Sequence, residues 1–224
     1  MQKSILFSAI TTLAFLFISC SGATKQYISP DMNGDYSNES VSLLVIERGD
    51  FPDIAPDHRF GELRINEQPV FSDRLKNLFR DATGANVKSE MRAIDLDQSS
   101  FTVRQFTEGG TNLKFVAPSD GTELKSESES PRFVFMLDGF RFETYEELVG
   151  GDSYAGHEPD VVPRITFETN YLIWDNAARE AIAWGTIDSD RVINLSRINE
   201  IYDQLILDSF QRMTRNSPFT PQRG

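Results

Sequence analysis

Cysteine is nearly absent from this chain. One residue in 224, Cys20, excludes an intrachain disulfide and any cysteine-built metal cluster. Histidine is almost as scarce, with only His58 and His157 to serve as a base or ligand. Basic residues are outnumbered, 22 Lys and Arg against 34 Asp and Glu. The resulting net charge of −12 repels phosphate backbones and excludes nucleic acid as a partner. No basic amphipathic stretch is present to dock on anionic lipid. No apolar run is long enough to cross a bilayer. The longest, Ile5 to Ile18, is broken by Ser8, Thr11 and Thr12 and covers about 21 Å as a helix, against a hydrocarbon core of about 30 Å. Gly-x-Ser-x-Gly, a phosphate-binding glycine loop and His-Glu-x-x-His are all missing.

What is present starts at the amino end. Lys3 and the terminal amine put positive charge ahead of the short apolar run, and small residues follow it. That order is a secretory signal rather than a membrane span. The run closes on Phe17-Ile18-Ser19-Cys20, so the sole thiol falls at its foot. These four residues resemble the lipobox of bacterial lipoproteins. The resemblance implies cleavage after Ser19, a diacylglycerol on the Cys20 sulfur and acylation of the new amino group. Acyl chains contribute about 0.8 kcal/mol per buried CH₂, so two or more give a stable anchor. Ser21, rather than Asp, follows the cysteine, which by resemblance to the lipoprotein sorting rule points to the outer membrane rather than the inner.

The expected organisation is a signal peptide over 1–19, a lipidated cysteine with a flexible tether over 20–40, one globular domain over 41–217 and a frayed tail over 218–224. Ser, Gly, Asn, Asp and Pro dominate 21–40, which suits a solvated linker. The apolar run Val41–Ile46 predicts a strand buried on both faces. Phe60–Ile65 predicts a short strand. Phe71, Leu75, Leu78, Phe79 and Ala82 recur at helical spacing and predict a helix over Val70–Ala82, ended by Gly84. Strands are predicted around Met91–Leu96, Phe101–Phe106, Leu113–Val116, Arg132–Leu137 and Phe140–Tyr145. The polar stretches Pro118–Pro131 and Gly150–Pro163 predict long exposed loops.

Arg164–Trp174 alternates over its whole length, with Ile165, Phe167, Thr169, Tyr171 and Ile173 on one face. Ala181–Ile187 returns with Ile182 and Trp184 on one face and Ala183, Gly185 and Ile187 on the other, which together predict a β-hairpin. The small residues Ala183 and Gly185 suit a helix packed closely over them. A last helix is predicted over Arg197–Arg215, with Ser196 as its cap and Ile201, Leu205, Phe210 and Met213 on its apolar face. The fold class is therefore α+β: a single, mostly antiparallel sheet with a long hairpin, packed against an internal and a carboxy-terminal helix.

This order of elements, carried by Val41–Ile46, Val70–Ala82, the hairpin about Tyr171–Trp174 and Ala183–Gly185, and Arg197–Arg215, resembles a group of small envelope lipoproteins. That group includes the curli secretion channel subunit, the export lipoprotein PelC and the penicillin-binding-protein activator LpoB. The resemblance implies an assembly or accessory role without catalysis.

Four groups of residues are candidates for chemistry. His58 lies near Asp53 and Asp57, and His157 near Asp152, Glu158 and Asp160, as a metal or acid/base site would need. Asp95 and Asp97 stand at i and i+2, on one face of a strand. Asp188-Ser189-Asp190 has a calcium-like flavour but lacks the glycine and distal glutamate of a calcium loop and reads as a polar strand-to-helix connection. Trp174 and Trp184 on facing strands are a ligand-stacking patch or core aromatics. Each has an ordinary structural explanation in a chain this acidic. The reading is therefore a lipid-anchored envelope protein with Cys20 as its modified residue, no cofactor, a membrane contact through the lipid and a protein partner in the envelope. The alternative is a hydrolase or metal-dependent enzyme that uses His58, His157 and their acidic neighbours.

Overall fold

The computed structural model describes residues 25–32, 34, 36, 38–46, 50–54, 68–84, 86–125, 130–151, 158–215 and 219. Cys20, His58, His157 and the expected strand Phe60–Ile65 lie outside the described residues.

A six-stranded sheet organises the chain. Its strands are β1 (Lys25–Ile28), β2 (Ser40–Ile46), β3 (Asn86–Met91), β6 (Phe133–Val149), β7 (Asp160–Asp175) and β8 (Glu180–Val192), in the spatial order β1-β8-β7-β6-β2-β3. The remaining strands, β4 (Phe101–Phe106) and β5 (Leu113–Pro118), form a separate antiparallel hairpin. Helix α1 (Gln68–Thr83) carries the chain from β2 to β3, and α2 (Ile198–Thr214) follows β8. The architecture is α+β, as the periodicity predicts. Most of the sheet is antiparallel, but β2 runs parallel to both of its neighbours, β3 and β6.

Three layers result, because β2 and the first half of β6 bury both faces. Val41, Leu43, Phe133, Phe135 and Leu137 point to the helices, while Leu44, Ile46, Val134 and Met136 point to the β4–β5 hairpin. On the helical side Phe79 of α1 meets Phe135 at 4.9 Å and Phe210 of α2 at 5.1 Å, both edge-on. On the other side Phe51, Phe101, Phe115 and Trp184 share a second core. Each fully buried Phe contributes about 1.5–3 kcal/mol relative to exposure, so the two cores divide the stabilisation between them. Gly84, in the left-handed region at φ 65°, ends α1 with its N–H bonded to the Arg80 carbonyl.

Several expectations are corrected. The stretch read as tether contributes β1, an edge strand whose Lys25 stands opposite Thr186 and whose Ile28 stands opposite Ala183. Its signal is weak because only two apolar residues in four carry it, but Tyr27 stacks on Trp184 at 4.1 Å, which fastens the strand. Met32 and Tyr36, also in that stretch, pack against the helical-side core. The tail read as frayed contains Phe219, which is fully buried against Phe133 and Phe135. The strand expected around Met91–Leu96 stops at Met91 and gives way to a 3-10 turn over Ala93–Asp95. By contrast, Gly139 bends the strand between Arg132–Leu137 and Phe140–Tyr145 as its place in the sequence predicts, with a bulge and a φ of 72° that favours glycine.

The faces of β8 also differ from simple alternation. A bulge opposite Ile173 and Trp174 sends Ile182 and Ala183 both toward the helices and leaves Trp184 facing the β4–β5 hairpin. Ser196 does not cap α2. A 3-10 turn over Leu195–Arg197 precedes the helix, and Asn194 caps that turn by accepting from the Ser196 N–H at 3.1 Å.

Candidate interaction surface

The candidate residues for chemistry separate in space. Asp95 bonds Arg92 at 2.9 Å beside its 3-10 turn, and Asp97 caps the next one by accepting from the Ser99 N–H. They are not a pair of facing carboxylates on a strand. Asp188, Ser189 and Asp190 lie inside β8 rather than in a connection. Ser189 is buried and donates to the Leu205 carbonyl at 2.9 Å, with the Ser209 hydroxyl equally near, so it joins β8 to α2. Trp174 donates to the Thr122 carbonyl at 3.2 Å and Trp184 to the Thr111 hydroxyl at 3.0 Å, and both rings are buried. They are core aromatics, not a stacking platform. Among the described residues no group of three His, Cys, Asp or Glu can hold a metal ion, and no helix is long and apolar enough to cross a membrane.

In the loop 119–132, the described parts, 119–125 and 130–132, are more fixed than their composition predicts. Asn176, at the β7–β8 turn, accepts from the Leu124 N–H at 2.8 Å and donates to the carbonyls of Leu124 and Pro131 at 2.7 and 2.6 Å. Leu124 is thereby buried under β5 and the sheet. Arg132 bonds Asp175 at 2.9 Å, and the other oxygen of Asp175 accepts from the Ala177 and Ala178 N–H groups. This end of the sheet is closed by its own hydrogen bonds.

The opposite end is open. β2 pairs with β6 only as far as Asp138, and β8 pairs with β7 only as far as Arg164 opposite Val192. Among the described residues, β6 has β7 alone beside it from Glu146 to Val149, pairing down to Val149 opposite Asp160. The two strands therefore project as a ribbon past the layered body. Side chains alternate across it. Glu143, Tyr145 and Glu147 share one face with Arg164, while Thr144, Glu146 and Leu148 share the other with Val161.

Six of the seven large apolar side chains that are exposed among the described residues gather here: Tyr145, Leu148, Val149, Val161, Val192 and Leu195. Leu195 is 83% exposed and Leu148 is 66% exposed. Only Ile94 lies elsewhere. Scattered apolar residues need no explanation, but a cluster at one end of a sheet is a candidate contact surface. Periodicity did not reveal it, because Glu146, Glu147 and Pro163 break the alternation: the expected strands stop at Tyr145 and start at Arg164, whereas β6 runs on to Val149 and β7 begins at Asp160, inside the expected loop Gly150–Pro163.

A cleft of about 440 Å³ lies beside this end, between the last residues of β8 and the start of α2. Arg164, Arg191 and Arg197 line it, yet each already has a carboxylate. Arg164 bonds Glu147 at 2.8 Å and also Asp190, Arg191 bonds Asp208, and Arg197 bonds Glu200 at 2.5 Å. The Asp190 hydrogen bond raises the Arg164 pKa, with burial opposing it. Among the described residues, the three arginines that line the cleft are each paired with a carboxylate.

No family model matches the sequence, and no curated protein matches it. Among solved structures, a PelC dodecamer from Paraburkholderia phytofirmans is similar over 88% of this chain and 96% of its own, at 10% identity and a TM-score of 0.41. A minor lipoprotein from Acinetobacter baumannii is similar over 79% of this chain and 90% of its own, at 10% identity and 0.35. A putative neuraminyllactose-binding hemagglutinin homolog from Helicobacter pylori is similar over 82% of each chain, at 10% identity and 0.36. Likeness this slight carries no argument about what this chain does.

Proposed function

We propose that this chain is a bacterial envelope lipoprotein, acylated at Cys20 and held at the outer membrane, whose domain is a non-catalytic protein-interaction or assembly module. The observation that carries the reading is the open end of the sheet. There a projecting ribbon gathers the exposed apolar side chains, while the candidate groups for chemistry among the described residues are engaged in caps and packing. The sequence supports the anchor, since the only thiol closes the only signal-like run.

The position of β1 adds a geometric argument. β1 is antiparallel to β8, so the chain enters the sheet from the Val192 side. Lys25 follows Cys20 by five positions, a reach of at most ~17 Å. The link between lipid and domain is thus short, and the direct route to the membrane passes the open end of the sheet. The β7–β8 turn lies roughly 20 Å the other way along β8.

Two measurements test the proposal. Cys20→Ala should abolish the acyl mass increment and leave an uncleaved or soluble form; unchanged membrane fractionation overturns the anchor. In-cell crosslinking of the wild-type protein should recover a specific envelope protein. Recovery of none, alongside turnover of a small molecule by the purified chain, overturns the interaction role in favour of a hydrolase or metal-dependent enzyme.

A further inference from the structure

A long strand edge without a neighbour exposes a row of backbone donors and acceptors, and folded proteins rarely leave one uncovered. Among the described residues β6 has such an edge. β7 occupies one side of Arg141–Val149, while β2 has left the other side at Asp138. The bulge at Gly139 separates the half of the strand that β2 pairs from the open half. The open half is about 30 Å long, enough for a full strand to lie along it.

Its side chains say what fits. Arg141–Val149 and the facing 158–164 carry the carboxylates of Glu143, Glu146, Glu147, Glu158 and Asp160 against the guanidinium groups of Arg141 and Arg164. Arg141 lies 3.3 Å from Glu143 and 2.9 Å from Glu168, and Arg164 bonds Glu147 and Asp190, so both cations are engaged. The excess is negative, and it alternates with the exposed Tyr145, Leu148 and Val149. We infer that the open edge of β6 between Arg141 and Val149 takes an extended segment of a partner protein in which Lys or Arg alternates with apolar residues, added as a further strand.

Backbone hydrogen bonds along the edge supply the affinity of such a contact, and the alternating side chains supply the selectivity. Negative charge on the arm disfavours the other occupants. A second copy brings an arm of the same sign, and anionic lipid repels it as well. The inference rests on the proposed interaction role and gives that role a surface and a partner chemistry.

The test uses the acylated full-length protein in non-ionic detergent. The probe is a synthetic peptide alternating Lys with Val and matched in length to Arg141–Val149, with a Glu/Val peptide as its counterpart. Amide exchange within Arg141–Val149 should slow with the Lys/Val peptide and stay unchanged with the Glu/Val peptide. The effect should weaken as salt is raised. The double variant Glu143→Lys, Glu147→Lys should bind the Lys/Val peptide roughly tenfold or more weakly, since both glutamates lie on one face of β6 and two attractions to the lysines on that face become repulsions. Its thermal midpoint, measured alongside, separates lost binding from lost folding, and the salt dependence of the wild type provides a readout that needs no variant.

Four results overturn the inference: no slowing on β6, equal slowing by both peptides, slowing that depends on protein concentration without peptide, or slowing only with phospholipid vesicles. The last two assign the edge to a second copy or to lipid. A photocrosslinking residue at Thr144, compared with one at Glu180 on the far turn, separates this inference from the broader role. Partner capture at Glu180 without peptide binding at β6 leaves the interaction role standing and removes this surface.

Discussion

Phe219 stands edge-on to Phe133, with ring centroids 4.7 Å apart and planes at 88°. The contact brings a residue near the end of the chain onto the strand that neighbours β2. Tyr36 joins from the other side, 5.2 Å from Phe133 and 6.0 Å from Phe219. Residues that flank the compact body in sequence thus meet over its central strands and cover the helical-side core.

Phe219→Ala should therefore destabilise the whole domain rather than loosen an end. Truncating a fully buried Phe costs about 3–5 kcal/mol, because the cavity it leaves adds to the lost transfer energy. A urea titration checks this. A drop in midpoint with an unchanged slope is expected. A variant as stable as wild type would show that the tail does not hold the core.

The turn at the closed end offers a second check. Asn176 satisfies the N–H and C=O of Leu124 and the C=O of Pro131, and is itself nearly buried. Asn176→Ala strands three backbone groups at once, and a single buried group left unpaired costs about 1–3 kcal/mol. A loss of about 2–3 kcal/mol is expected, given that water reaches part of the vacated site. Limited proteolysis should show faster cleavage in 119–132, while the open end of the sheet is cut at its original rate.

How far these features could be read from sequence depends on whether a periodic pattern carried them. Ile165, Phe167, Thr169, Tyr171 and Ile173 alternate because one face of β7 meets the helices throughout, so the hairpin was legible. Leu75, Phe79, Leu205 and Phe210 were legible for the same reason at helical spacing. Phe219 and Tyr27 were not, since a single aromatic among polar residues has no period and its burial is decided by distant partners. Ser189 was misread as part of a connection because its partner, the Leu205 carbonyl, is backbone and leaves no mark in the side-chain pattern. The open end escaped too: Val161 falls in the stretch read as a loop and Val149 beyond the expected strand Phe140–Tyr145, because glutamates and prolines interrupt the alternation where β6 and β7 continue.

The last prediction concerns a buried hydroxyl. Tyr171 lies at the centre of β7, fully buried on the helical side, and among the described residues no group meets hydrogen-bond geometry with its oxygen. Burial pushes its pKa well up, with the Gln26 amide opposing in smaller measure. The folded state therefore holds the phenolic proton more tightly than the unfolded chain, whose tyrosines ionise near pH 10. Below about pH 10 both states are neutral and stability does not depend on this group. Above it the unfolded chain releases the proton while the folded protein retains it, so stability falls as pH rises toward the raised folded value. Tyr171→Phe removes that dependence and also removes a hydroxyl that gains no partner on burial. The variant should match or exceed wild type at neutral pH, within about 1 kcal/mol, because deleting an unsatisfied polar atom has little to lose. Its advantage should grow between pH 10 and 11, as read from denaturant midpoints of the two proteins at each pH. Parallel curves for variant and wild type across that range would mean that the hydroxyl is solvated or bonded in the folded protein.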